Sequence, residues 1–175
     1  MKKSLVILSV AVAALFCGAP MRAQDAAPKQ AIAVLYPTAG NQCHGTVRFT
    51  QDGDTVKVVA DVEGLTPSQQ HAFHIHEYGD ASAPDATSAG GHFNPDNKKH
   101  GLDNPDGPHA GDMPNFTVDE KGKSKKTVTD QRVNMDDDAH SIFGHALVIH
   151  EKADDLKSDP AGNAGARIAC GVISK

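Results

Sequence analysis

Residues 55–62 alternate apolar and polar side chains, with Val56, Val58, Ala60 and Val62 on one face. A period of two residues is that of a half-buried β-strand. Residues 46–51 repeat the pattern with Val47 and Phe49, and Asp52-Gly53-Asp54 between the two runs predicts a hairpin turn. Further strands are predicted at residues 31–37, 72–77, 115–118, 125–133, 146–150 and 167–173. No stretch carries a 3.6-residue period, and there is no internal repeat. Two segments interrupt the strands: residues 79–114, rich in Gly, Pro, Asp, Asn and Ser, and residues 151–165. Loops this long are uncommon in compact domains and usually serve function. About eight short strands predict an all-β fold, an eight-stranded antiparallel barrel or sandwich carrying two long functional loops.

The first 23 residues do not fit that pattern. Lys2 and Lys3 precede an apolar run over residues 5–16, and small residues follow. The run is too short to span a bilayer and has the order of a secretory signal, with cleavage expected after Ala23. Residues 24–30 read as a polar, flexible tether, and residues 31–175 as one domain. Export places the domain in the periplasm or outside the cell. Cys17 in the leader follows bulky Phe16, which argues against lipidation at that position.

The full chain of 175 residues carries a formal charge of −5. Losing Lys2, Lys3 and Arg22 with the leader takes it to −8. An acidic surface excludes nucleic acid and anionic membranes as natural partners. With no Trp in the chain, Val, Ile, Leu and Ala must fill the core.

The chemistry lies in histidine and aspartate. His74 and His76 sit two apart on a predicted strand, so both imidazoles point to one side. His150 ends another alternating strand. His92, His100, His109 and Asp112 all fall in the loop at residues 79–114. Imidazole is the commonest protein ligand for copper and zinc, and three imidazoles with one carboxylate complete a tetrahedral zinc shell. Seven such residues in one small chain point to two metals. A bound ion would also order a loop that has no core of its own. The alternative, a solvated His- and Asp-rich loop, accounts poorly for all seven together. His44, His71, His140 and His145 read as structural or surface residues.

Six stretches resemble the copper-zinc superoxide dismutases: residues 71–80 (HAFHIHEYGD), 87–95 (TSAGGHFNP), 99–101 (KHG), 109–112 (HAGD), 148–156 (VIHEKADDL) and 162–173 (GNAGARIACGVI). The resemblance runs from about Ala31 to the end. It implies a Greek-key β-barrel that dismutates superoxide to dioxygen and hydrogen peroxide, with redox-cycling copper bridged by histidine to structural zinc. Position by position, it makes His74, His76 and His150 copper ligands and His92 the imidazole bridging both metals. His100, His109 and Asp112 become the remaining zinc ligands. Asp154 matches a carboxylate linking ligands of the two metals, and Arg167 the arginine that attracts the superoxide anion beside copper. His71 matches a hydrogen-bonding position near the copper strand. The resemblance implies one copper and one zinc per subunit, is compatible with a homodimer, and names no copper donor.

The chain departs from the family pattern in two places. The metal-loop cysteine that usually bonds the counterpart of Cys170 is Ala86 here. Cys43 offers Cys170 a different partner, so two readings stand: a relocated Cys43–Cys170 disulfide, or two free thiols. The basic residues that usually guide substrate in the second loop do not align, leaving Lys152 and Lys157 as candidates.

Overall fold

The computed structural model describes residues 29–175. The leader and residues 24–28 of the tether lie outside the described residues. The strands are β1 (Gln30–Pro37), β2 (His44–Asp52), β3 (Thr55–Glu63), β4 (Gln70–His71), β5 (Phe73–His76), β6 (Phe116–Thr117), β7 (Lys123–Asp130), β8 (Ala146–His150) and β9 (Arg167–Ser174). The first strand therefore begins at Gln30, one residue earlier than the predicted start at residue 31. Lys29 is ordered with it: its carbonyl accepts the Gln51 N–H and its ammonium pairs with Asp136.

Seven strands form one antiparallel sheet in the order β5-β8-β9-β1-β2-β3-β7, and β4 pairs with β6 in a second, small sheet. The predicted strand at residues 72–77 is found as β5, and the short strand β4 precedes it across a break at Ala72. There the backbone is diverted, with Ala72 N–H bonded to the Lys152 carbonyl and the Ala72 carbonyl to His150 N–H. The chain before the break pairs with β6 and the chain after it with β8. A short turn, in which Asp119 N–H meets the Lys123 carbonyl, carries β6 into β7. Counting β4 and β5 as one interrupted strand gives the eight expected, and the small sheet spans the gap between the two edges of the large one.

The alternation read in β3 is borne out, with Val56, Val58, Ala60 and Val62 all at most 1% exposed. They meet Phe49, Phe73, Phe116, Leu35 and Ile149 in one core. Each large apolar side chain buried there contributes about 1.5–3 kcal/mol. Strand β7 stops at Asp130 rather than Val133, because the Asp130 carboxylate accepts the Arg132 backbone N–H and turns the chain.

Strands β5 and β8 are buried on both faces. Phe73, Ile75, Leu147 and Ile149 point into the barrel core. Ala146 and Val148 belong to a separate cluster with Ala86, Ala89 and Cys170, outside the barrel wall. His74, His76 and His150 alternate onto this outer face and are buried there beneath the two long loops. Edge strand β5 is covered by the first loop, since Ile75 exchanges backbone hydrogen bonds with Gly111 and Phe93. A sheet edge that would otherwise be open becomes the floor of a site.

Both Cys43 and Cys170 are free and buried, which is the second of the two readings left open. Strand β1 lies between β2, which Cys43 precedes, and β9, which holds Cys170. Two strand spacings come to about 9.5 Å, beyond the roughly 7 Å that a disulfide spans between Cα atoms. Cys43 packs in the main core and Cys170 outside the wall. Burial pushes the Cys43 thiol up to about 12, which keeps it protonated and inert.

Ala86, by contrast, lies in the same buried cluster as Cys170. Ala86→Cys is expected to form the bridge that the natural chain lacks and to stabilise the domain by about 2–4 kcal/mol. Non-reducing peptide mapping should find residues 86 and 170 joined. Residues 86 and 170 both recovered as free thiols in the oxidised variant would contradict the placement.

Candidate metal centre

The loop-borne residues converge first on Asp112. Its Oδ1 lies 2.8 Å from His92 Nδ1, 3.0 Å from His100 Nδ1 and 3.3 Å from His109 Nδ1. His92 Nδ1 and His109 Nδ1 are 3.5 Å apart. A tetrahedron of bonds near 2.0 Å has edges of about 3.3 Å, so these spacings are those of a closed zinc shell. The other carboxylate oxygen, Oδ2, is held by the N–H groups of Gly101 at 2.9 Å and His109 at 3.0 Å. That pins the carboxylate and leaves Oδ1 aimed at the centre of the set.

A second set lies on the outer face of the wall. Its donors come from His74, His76, His92 and His150, all within 4.8 Å of one another. His76 Nε2 and His150 Nε2 are 3.3 Å apart. His76 Nδ1 donates to the Gly90 carbonyl at 3.0 Å, which leaves Nε2 with its lone pair. His74 Nδ1 and His92 Nε2 are buried and have no protein partner. Buried polar atoms are rarely left so, and a cation accounts for them. Four imidazoles suit copper, and three with a carboxylate suit zinc.

Asp154 joins the two sets. Its Oδ2 accepts from His74 Nε2 at 2.9 Å and its Oδ1 from His100 Nε2 at 3.0 Å. Each bond fixes a tautomer and turns the opposite ring nitrogen toward a set. Gly162 makes room for this carboxylate, because a Cβ there would stand 1.7 Å from Asp154 Oδ1. Only contact geometry reveals that requirement, and sequence reading missed it.

Electrostatics follow from burial. Burial lowers the pKa of His92 to about 4 and those of His76 and His150 well below the ordinary value. The positive charge of Arg167 adds to the effect at His76 and His150. These rings are neutral and offer lone pairs at neutral pH. Burial alone would raise Asp112, but bonds from His100, His109 and His92 outweigh it and hold the carboxyl far below its usual range.

Arg167 is the cross-strand partner of His150 at a bulge between β8 and β9. Its guanidinium donates to the carbonyls of Ala86 and Gly90, both at 2.6 Å. Gly90 also accepts from His76, so one carbonyl ties the arginine to the outer set. His71 Nδ1 lies 2.9 Å from the His150 carbonyl, the hydrogen-bonding role expected of it. Of the remaining histidines, His44 pairs with Glu63 and His140 with Asp96. His145 donates Nδ1–H to the His76 carbonyl at 3.1 Å and packs on Phe93. Lys152 and Lys157 are exposed.

Two sets of four converging donors, sharing one imidazole on an antiparallel barrel, define a binuclear metalloprotein. Known relatives specify which kind. The family described as Copper/zinc superoxide dismutase (SODC) matches residues 43–173. A copper-zinc superoxide dismutase 2 from Aquifex aeolicus (strain VF5) is 50% identical over 133 residues, 74% of this chain and 78% of that one. An extracellular copper-zinc superoxide dismutase of Brugia pahangi is 39% identical over 153 residues, 82% of this chain and 75% of that one. Among solved structures, a SOD-like protein from Bacillus subtilis superposes with a TM-score of 0.75 at 37% identity, covering 81% of this chain and 96% of that one. The chain belongs to the copper/zinc superoxide dismutase family, and its cofactors are copper and zinc.

Zinc removal is expected to speed amide hydrogen exchange across residues 79–114, most of all at residues 100–112. With zinc in the Asp112 set, four groups that face one another there would lose the charge that holds them together. Exchange in β5 and β8, which the barrel core supports, should change little. Unchanged exchange across the loop after zinc removal would contradict this.

Proposed function

We propose that the protein dismutates superoxide outside the cytoplasm. In this reading His74, His76, His92 and His150 hold copper, and His92, His100, His109 and Asp112 hold zinc. When bound, copper supplies one-electron redox chemistry and zinc a fixed charge without any. One observation carries the reading: His92 gives Nδ1 to the Asp112 set and leaves Nε2 buried and unpartnered beside the other imidazoles. A single ring serving two sets has no purpose in a structural domain.

The chain's other groups then have definite tasks. Arg167 draws the anion in and orients it, since its charge lies beside His76 and His150 and no carboxylate belongs to that set. Asp154 keeps His74 and His100 in their metal-binding tautomers. His92 Nε2 is the buried atom at which the site can hold and pass on a proton. Two superoxide anions and two protons give one dioxygen and one hydrogen peroxide. Residues 1–23 act as an export leader, a reading supported by their charge order and by the extracellular relative.

The test is reconstitution with copper and zinc, followed by superoxide decay and metal content measured on one sample. Near-stoichiometric metals with fast decay are expected. Two bound metals with no acceleration would refute the enzyme and leave a metal-binding relative. If Lys152 and Lys157 steer the anion, replacing both by Gln should flatten the dependence of the rate on ionic strength. An unaltered slope would remove them from that role.

A further inference from the structure

At the end of β7 stands a pair that the reaction does not use. Asp130 has a fully buried carboxylate, and Arg132 two residues later has a side chain 30% exposed. Arg132 grips Asp130 with both ends of its fork, Nε to Oδ1 at 3.0 Å and an Nη to Oδ2 at 2.6 Å. The same guanidinium reaches over to the metal loop. It donates to the carbonyl of Asp112 at 2.6 Å and toward that of His109 at 3.4 Å. Those carbonyls stand at the two ends of one tight turn, closed by Asp112 N–H on the His109 carbonyl at 3.3 Å. Both ends of the turn supply donors to the Asp112 set.

We infer that Arg132, braced by Asp130, is a positioning residue that anchors the His109–Asp112 turn to the barrel and slows zinc release. This rests on the reading of that set as the zinc site. Three observations converge on it. The first is geometry: a planar fork can span two carbonyls and a carboxylate at once, which an ammonium cannot. The second is charge. A lone cation beside the zinc would oppose binding, but the buried carboxylate of Asp130 neutralises it, so the pair supplies position without repulsion. The third is need. Both cysteines of the domain are free, so no covalent link ties the loop to the wall. Arg167 holds the loop at Ala86 and Gly90, near its start. Arg132 holds it from the opposite edge strand, near its end.

The test must separate this role from simple destabilisation. Removing Arg132 alone would strand a buried carboxylate. The double variant Arg132→Met/Asp130→Asn removes both charges together, while the amide oxygen can still accept the backbone N–H of residue 132 that turns the chain. The copper- and zinc-loaded protein is mixed with a chromophoric chelator, and the release of each metal is timed. Zinc should leave at least about tenfold faster than from the natural chain, with copper release unchanged. Cobalt(II) placed in the zinc set should show altered d–d absorption, which reports ligand geometry directly. Arg132→Lys keeps a charge on Asp130, and hence the fold, but cannot span both carbonyls; several-fold faster zinc release is expected. Natural zinc release in either variant, or equal acceleration for both metals, would overturn the inference. A natural chain that takes up no zinc would instead refute the site assignment on which it rests.

Discussion

Superoxide decay by the copper- and zinc-loaded protein is expected to slow by at least about tenfold when Arg167 is replaced by Leu. The substrate is a small anion with almost no surface to recognise, so charge must do most of the work of bringing it in. The domain as a whole is acidic, and its long-range field repels that anion. A local cation in a half-buried setting reverses the sign where it matters, because low-dielectric walls strengthen its field. In the proposed reading Arg167 supplies that cation. Its fork rests on the carbonyls of Ala86 and Gly90, which fix the plane without neutralising the charge. Arg167→Lys should keep part of the rate, since charge remains while the fixed plane is lost. Both variants should retain copper, because His74, His76 and His92 are held by Asp154, the Gly90 carbonyl and Asp112. A rate within about twofold of the natural enzyme for Arg167→Leu would refute the role.

Asp154→Asn is expected to weaken zinc binding by about 10–100-fold, with a smaller loss for copper. One carboxylate accepts from two imidazoles, His74 Nε2 and His100 Nε2. An amide has a single acceptor oxygen and turns an NH₂ toward one of the rings. That ring must then flip its tautomer or its plane, and the nitrogen facing the metal loses its lone pair. His74 stands on β5, fixed by the sheet, whereas His100 lies on the loop and yields first. The loss therefore falls mainly on zinc. Gly162→Ala should produce the same pattern, since the new Cβ would collide with Asp154 Oδ1. Chelator competition measures both affinities, and zinc affinity within about threefold of natural in Asp154→Asn would contradict the argument.

Much of this centre is legible in the chain. His74 and His76 share a face because a strand has a period of two, and that holds whatever surrounds them. The loop donors could be named because nothing else in residues 79–114 explains three histidines and a matching aspartate. Arg132 and Asp130 carried no such signal. An Asp and an Arg two apart near a strand end look like any exposed pair, and the partner carbonyls of His109 and Asp112 belong to a distant part of the chain. The choice between a Cys43–Cys170 bridge and two free thiols stayed open for a similar reason. Two cysteines suggest a bond only when strand order is unknown, and β1 between them forbids it.

By itself the sequence determined the local terms: which residues alternate, where the turns fall, and which side chains can donate to a metal. Those depend on bonds and sterics within a few residues. The tertiary structure alone decided the rest. It placed His74, His76 and His150 on the outside of the wall rather than in the core, because the loops bury that face as completely as the barrel buries the other. It set Arg167 opposite His150 through a bulge, and supplied the geometry by which His92 faces both sets, as the resemblance implies. Such contacts join residues up to some eighty positions apart, and their geometry follows from how the sheet curls and which edge a loop covers. No local pattern encodes that.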